Sequence, residues 1–261
     1  MMKILCLHGP NQSGRMFQLQ LEATIKETQS LGTSVSFDFA DAPIRCTGQV
    51  PSDGRAAYKF FDAAVIAEIY KANEWLARKL DADGPYDGVI AFSQGATLVS
   101  GYLLYHQWYV LSTLPFRFAI FISGSISLEV LRDLGIPVSK DAKRVVEEVE
   151  LRRQGGLGPM PSHVSLARQA IFNSDDCFGL NLNTVPLELK IRIPTVHVWG
   201  RNDPTFPTSI HLAGLCDPYL RKIYPHSDGH EVPQETEDTR QLGQLLLWCM
   251  ERAIWPGHLQ I

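Results

Sequence analysis

The segment Gly88-Val89-Ile90-Ala91-Phe92-Ser93-Gln94-Gly95-Ala96 constrains this chain more than any other. An apolar run of strand length ends in a serine, and a helix-compatible run, Gln94 to Tyr105, follows at once. A strand that turns this sharply into a helix presses two backbones together. The positions two before and two after the serine must then be small, and they are Ala91 and Gly95. Such a turn is a nucleophile elbow, which holds a serine Oγ above the sheet. The usual pattern has glycine at both flanking positions, so Ala91 adds one methyl. A buried strand followed by any glycine-containing turn would read the same way, so the motif needs corroboration elsewhere in the chain.

The rest of the chain repeats the strand–helix rhythm. Short β-rich runs at 3–7, 35–40, 88–92, 118–123, 195–200 and 221–224 alternate with helical patterns at 16–30, 60–80, 94–106, 208–215 and 237–254. Alternation of this kind predicts an α/β fold with a mostly parallel sheet flanked by helices. Ligand sites in such sheets lie beyond the carboxyl ends of the strands. With 261 residues the simplest organisation is one domain spanning 1–261. Two segments break the rhythm. Residues 41–55 are irregular, and residues 125–189 separate two strands by far more than a crossover needs. Within the second, 140–153 alternates charge as a solvated helix face does. A glycine- and proline-rich break at 155–161 follows, then a candidate helix near 164–172. This insertion leaves a strand's carboxyl end, which makes it a candidate lid as well as a candidate surface loop.

Composition excludes several classes. A net charge of −4 and a pI near 6.1 do not suit a nucleic-acid binder, which shows a basic face. No apolar run approaches the roughly 18 residues that span a bilayer. The apolar start at 3–7 is too short for a signal peptide and reads as a first strand. Five scattered cysteines without a CxxC pair suit reduced thiols, and so a cytoplasmic protein. Asn11-Gln12-Ser13 matches a glycosylation pattern by chance on this reading. No His, Cys or carboxylate ligands cluster, so no metal is expected, and no cofactor either.

A serine hydroxyl needs an adjacent base, and the base needs a carboxylate to hold its tautomer. In elbow-bearing folds the order along the chain is serine, acid, histidine. Downstream of Ser93, the strand at 195–200 runs into Arg201-Asn202-Asp203-Pro204, a turn signal that offers Asp203 as the acid. His230, between Gly229 and Pro233, follows the last strand and is the candidate base. His226 and Asp228 are the alternatives, while His197 lies inside a strand and reads as a core histidine. The oxyanion of a tetrahedral intermediate needs two donors. The N–H of Gln94 is one. The second should come from the loop after the first strand, where the position following His8-Gly9 is Pro10, which has no N–H. That leaves Asn11 as the candidate donor, with His8 bracing the loop.

Taken together, these stretches resemble the fungal-type serine hydrolases of the alpha/beta hydrolase superfamily. That group includes the small thioesterases of polyketide pathways and the ovarian-cancer-associated hydrolases. The resemblance runs from Lys3 to about Trp255 and rests on Leu7-His8-Gly9, residues 37–43 more loosely, 86–96, Phe121-Ile122-Ser123-Gly124, 193–204 and Gly229–Pro233 as an ordered series. It implies a Ser93, Asp203, His230 triad and esterase or thioesterase chemistry on a small-molecule or carrier-protein-bound acyl substrate. Ala91, Pro10 and the long insertion depart from the pattern. A lid suits a bulky acyl chain, and Arg152 with Arg153 offers a basic patch for a carrier protein. The alternative is a binding protein or non-hydrolytic cyclase that uses the pocket only to hold and fold its substrate.

Overall fold

The computed structural model describes residues 1–47, 56–110, 114–157 and 175–254. The expected helix near 164–172, His163, His258 and part of the irregular 41–55 segment lie outside them.

The described chain runs β1 (Met2–Leu7), α1 (Gly14–Ser30), β2 (Val35–Ala40), β3 (Ile44–Arg45), β4 (Tyr58–Lys59), α2 (Ile66–Asp83), β5 (Gly88–Phe92), α3 (Gln94–Tyr105), β6 (Phe118–Ile122), α4 (Leu128–Asp133), α5 (Lys140–Arg153), β7 (Thr195–Gly200), α6 (Phe206–Gly214), β8 (Arg221–His226) and α7 (Thr236–Ile254). Six strands form one sheet in the order β2-β1-β5-β6-β7-β8. Every pairing in it is parallel. The chain steps outward from β1 to β2 and then resumes on the other side at β5. The strand order therefore reverses between β1 and β5, where α/β sheets open a crevice at their carboxyl edge.

β5, β6 and β7 are buried along their whole length, as their unbroken apolar runs require when helices cover both faces. Alternate residues go to opposite cores. Leu5, Leu7, Val89, Ala91 and Phe121 pack on one face with Leu76 of α2, Leu98 of α3 and Ile210 of α6. Ile4, Cys6, Ile90, Phe92 and Ile122 pack on the other with Phe17 of α1 and Leu242 of α7. The helix expected from residue 60 starts at Ile66 instead. Phe60 and Phe61 are buried, but they belong to a loop that follows a two-residue ribbon, β3 with β4. All five cysteines are free. Among the described residues no helix is long and apolar enough to cross a membrane.

The core holds several neutral histidines. Burial first, and the charge of Arg221 second, pushes His197 down to about 3 from an ordinary 6.5. Burial also lowers His8 and His211. The unfolded chain protonates such groups below about pH 6.5 while the folded chain refuses the proton. Stability therefore falls as pH drops, by about 1.4 kcal/mol per pH unit for each fully resistant histidine. Urea midpoints should decline between pH 7 and pH 4, and His197→Gln should flatten that slope. An unchanged slope in the variant would refute the assignment.

Candidate active site

Ser93 immediately follows β5 with φ 50° and ψ −113°, a left-handed backbone that a non-glycine residue adopts only under constraint. The constraint is visible in its neighbours. Ser93 N–H donates to Ile122 O at 2.9 Å, and the first turn of α3 lies against the end of β1. A Cβ on Gly95 would sit 2.7 Å from Leu7 O and 2.8 Å from His8 O. Gly95→Ala should therefore push α3 off β1 and cost about 1–3 kcal/mol of stability, as overpacking does. A urea midpoint equal to that of the native chain would count against this packing account.

His8 braces the loop after β1, as expected. Its Nδ1 faces Gly9 O at 2.6 Å, and its Nε2 accepts from Ala42 N–H at 3.0 Å. Pro10 lines the cavity beside Ser93. Asn11 is exposed with φ 59°, and it does not line that cavity.

Asp203 follows β7 in a turn closed by its own N–H to Gly200 O at 3.1 Å. Its side chain is fully buried. Thr205 donates to Oδ1 twice, from the backbone N–H and from the hydroxyl, each at 2.7 Å. Burial opposes the charge on Asp203, but hydrogen bonds and charge from His230, with the two bonds from Thr205, outweigh it. The carboxyl is held below its usual range.

His230 completes the cluster. Its Nδ1 lies 2.9 Å from Asp203 Oδ2 and 3.1 Å from Oδ1, and its Nε2 lies 2.9 Å from Ser93 Oγ. An ionised carboxylate only accepts, so Nδ1 carries the proton and Nε2 is left to accept from Ser93. The loop that carries His230 is tied to the end of β7. Arg201 N–H donates to His226 O, Asn202 N–H to Asp228 O, and Asn202 Nδ2 to Ser227 O. Gly200 makes this approach possible, because a Cβ there would lie 2.2 Å from both Asp228 O and Gly229 O.

The alternative histidines lie elsewhere. His226 is buried against Asp228, with Nδ1 to Oδ2 at 3.5 Å, and lines no part of the cavity. His197 points into the core, where its Nε2 meets Thr195 Oγ1 at 3.1 Å. Among the described residues, His226, Asp228 and Asp238 form the group that brings potential metal ligands within 4.8 Å of one another. His226 Nδ1 already accepts from Asp228 N–H, and Asp238 already accepts from Tyr224.

Over Ser93 opens a cavity of about 590 Å³. Its floor is Ser93, Gln94, Thr97, Thr205 and His230. One wall is Phe61–Ala64, held by the side chain of Gln94, which accepts from Phe60 N–H and donates to Phe61 O at 2.8 Å each. Much of the remaining lining comes from the described part of the insertion. Leu128, Glu129 and Arg132 come from α4, and Lys143, Val146, Glu147 and Glu150 from α5. Thr205 and the side-chain amide of Gln94 were not picked out from the sequence. Asp-Pro-Thr before a helix is a capping signal that could have drawn attention to Thr205.

The family described as Serine hydrolase (FSH1) matches residues 1–242. The chain belongs to this serine hydrolase family. Among curated relatives, this serine hydrolase is 27% identical to Esterase alnB of Emericella nidulans, over 97% of its own length and 98% of that protein's. It is 27% identical to Hydrolase FUB4 of Fusarium oxysporum f. sp. lycopersici, over 94% and 97%. Among solved structures, alpha/beta hydrolase domain-containing protein 10 from mouse superposes with a TM-score of 0.52 at 16% identity, covering 96% of this chain and 90% of the other. That likeness is one of fold, and the fold is that of an alpha/beta hydrolase.

Proposed function

We propose that this enzyme hydrolyses an ester or thioester through a Ser93–His230–Asp203 triad and a covalent acyl-enzyme. The observation that carries the reading is the 2.9 Å contact between Ser93 Oγ and His230 Nε2, with Asp203 on the other ring nitrogen. His230 takes the Ser93 proton as Oγ attacks the carbonyl carbon. The Gln94 N–H at the start of α3, with a donor from the loop around Asn11, stabilises the oxyanion. The alcohol or thiol leaves with the proton from His230. Water, deprotonated by the same histidine, then releases the acid and restores Ser93. Asp203 fixes the imidazole and balances its charge throughout.

Relatives named as esterases support ester chemistry over amide cleavage. Helices α4 and α5, in the described part of the insertion at 125–189, act as a cap of the site, since both supply residues that line the cavity. That lining mixes Leu128 and Val146 with Glu129, Arg132 and Lys143, which suits an acyl group bearing polar substituents better than a bare alkyl chain. The substrate arrives free or on a carrier protein.

Pro10 on the cavity wall favours the second reading, a binder or cyclase with an incomplete oxyanion site. Intact mass after treatment with a small fluorophosphonate separates the two. A single adduct on the native chain, absent from Ser93→Ala and His230→Ala, is the expected result. No adduct on the native chain would overturn the hydrolytic reading.

A further inference from the structure

Thr205 immediately precedes α6, two residues beyond Asp203, and its side chain meets both neighbours of the proposed triad hydrogen bond. Its hydroxyl lies 2.7 Å from Asp203 Oδ1 and 2.9 Å from His230 Nδ1. The residue is only 6% exposed and lines the cavity floor. A hydroxyl has one proton and two lone pairs, while a carboxylate has no proton to give. The hydroxyl proton therefore goes to Asp203 Oδ1, and a lone pair faces His230. The Nδ1–H of His230 is then shared between the carboxylate and the Thr205 oxygen.

We infer that Thr205 is a positioning residue of the reaction, whose hydroxyl fixes the Asp203 carboxylate and gives the His230 ring a second acceptor. The inference rests on the Ser93–His230–Asp203 reading above. The Thr205 hydroxyl is engaged with Asp203 and His230. Its effect passes through two other side chains. As His230 takes the Ser93 proton, positive charge grows on the ring and Nδ1–H becomes a stronger donor. Two acceptors waiting at that hydrogen gain strength in the transition state and not in the ground state, so the effect falls on kcat and leaves KM alone. The backbone N–H of Thr205 also bonds Asp203, at 2.7 Å, and stays in place whatever the side chain. Substitution therefore isolates the hydroxyl.

Thr205→Val keeps the shape and removes the hydroxyl. Thr205→Ala removes it without a branched replacement and serves if the valine variant does not fold. Thr205→Ser restores the hydroxyl. Turnover of a small p-nitrophenyl ester should fall about 10–100-fold in kcat for Val and Ala, with KM within about two-fold, and Ser should recover to within about three-fold of native. The downfield proton resonance of His230 Nδ1–H should move in Val and Ala and return in Ser. Native kcat in the hydroxyl-free variants, or an unmoved resonance, or a serine variant as poor as alanine, would overturn the inference. Ser93→Ala is run alongside. If it hydrolyses the ester as the native enzyme does, the triad reading itself has failed. If it is dead while Thr205→Val or Thr205→Ala is native-like, the role of Thr205 alone has failed.

Discussion

Alanine at position 93 should leave no more than about one part in 10⁴ of native ester turnover, and as little as one part in 10⁶. The residue supplies the attacking oxygen, and no other hydroxyl is hydrogen-bonded to His230 Nε2 among the described residues. Seryl loss would not be a folding effect. The Ser93 side chain makes no capping bond to α3, and the residue is only partly buried. The structural ties at this position are made by its backbone, whose N–H donates to Ile122 O and whose carbonyl oxygen accepts from Thr97 N–H, and alanine keeps both. Two measurements on the same sample check this, kcat on a p-nitrophenyl ester and the urea midpoint. Turnover above about 1% of native with an intact fold would refute the nucleophile assignment.

Asparagine in place of Asp203 should cost about 10⁴-fold in kcat at neutral pH, through a tautomer change and not a loss of shape. The geometry says which way the amide will face. Oδ1 receives two donors from Thr205, so the amide oxygen takes that place. The NH₂ is left at the Oδ2 position, opposite His230 Nδ1. A donor there makes Nδ1 the acceptor and moves the ring proton to Nε2. Nε2 then points a hydrogen at Ser93 and cannot receive one. The same amide group would leave Ser93 and His230 in place, so a crystal structure of the variant should superpose on the native site while turnover collapses. Turnover within ten-fold of native would refute the account.

The sequence reading succeeded where one residue type had no substitute. The runs at 88–92, 118–123 and 195–200 are apolar without alternation because both faces of those strands are covered, and the structure has strands at 88–92, 118–122 and 195–200. Ser93, Asp203 and His230 follow three different strands, and His230 lies within hydrogen-bond distance of the other two. The reading was weaker where local pattern and tertiary role diverge. Phe60 and Phe61 fit a helical period with the residues after them, yet their backbone bonds go to the Gln94 amide and the segment stays a loop. Two-residue strands such as β3 and β4 have no period to detect. Thr205 drew no reading because its hydroxyl matters only once the loop of His230 has folded over it. The oxyanion loop shows the limit of motif transfer. Pro10 reaches the cavity, whereas Asn11 turns to solvent.

The contact between Ser93 and His230 joins positions 137 apart in the chain. Between them lie three sheet pairings, β5 with β6, β6 with β7 and β7 with β8, and the whole insertion. Contacts with so long a sequence separation form late, because the intervening chain must be ordered before they repay the loss of freedom. No fragment that lacks β8 can contain this pair. Reactivity of Ser93 toward a covalent probe would thus act as a clock for the final stage of folding, silent until the last strand has docked.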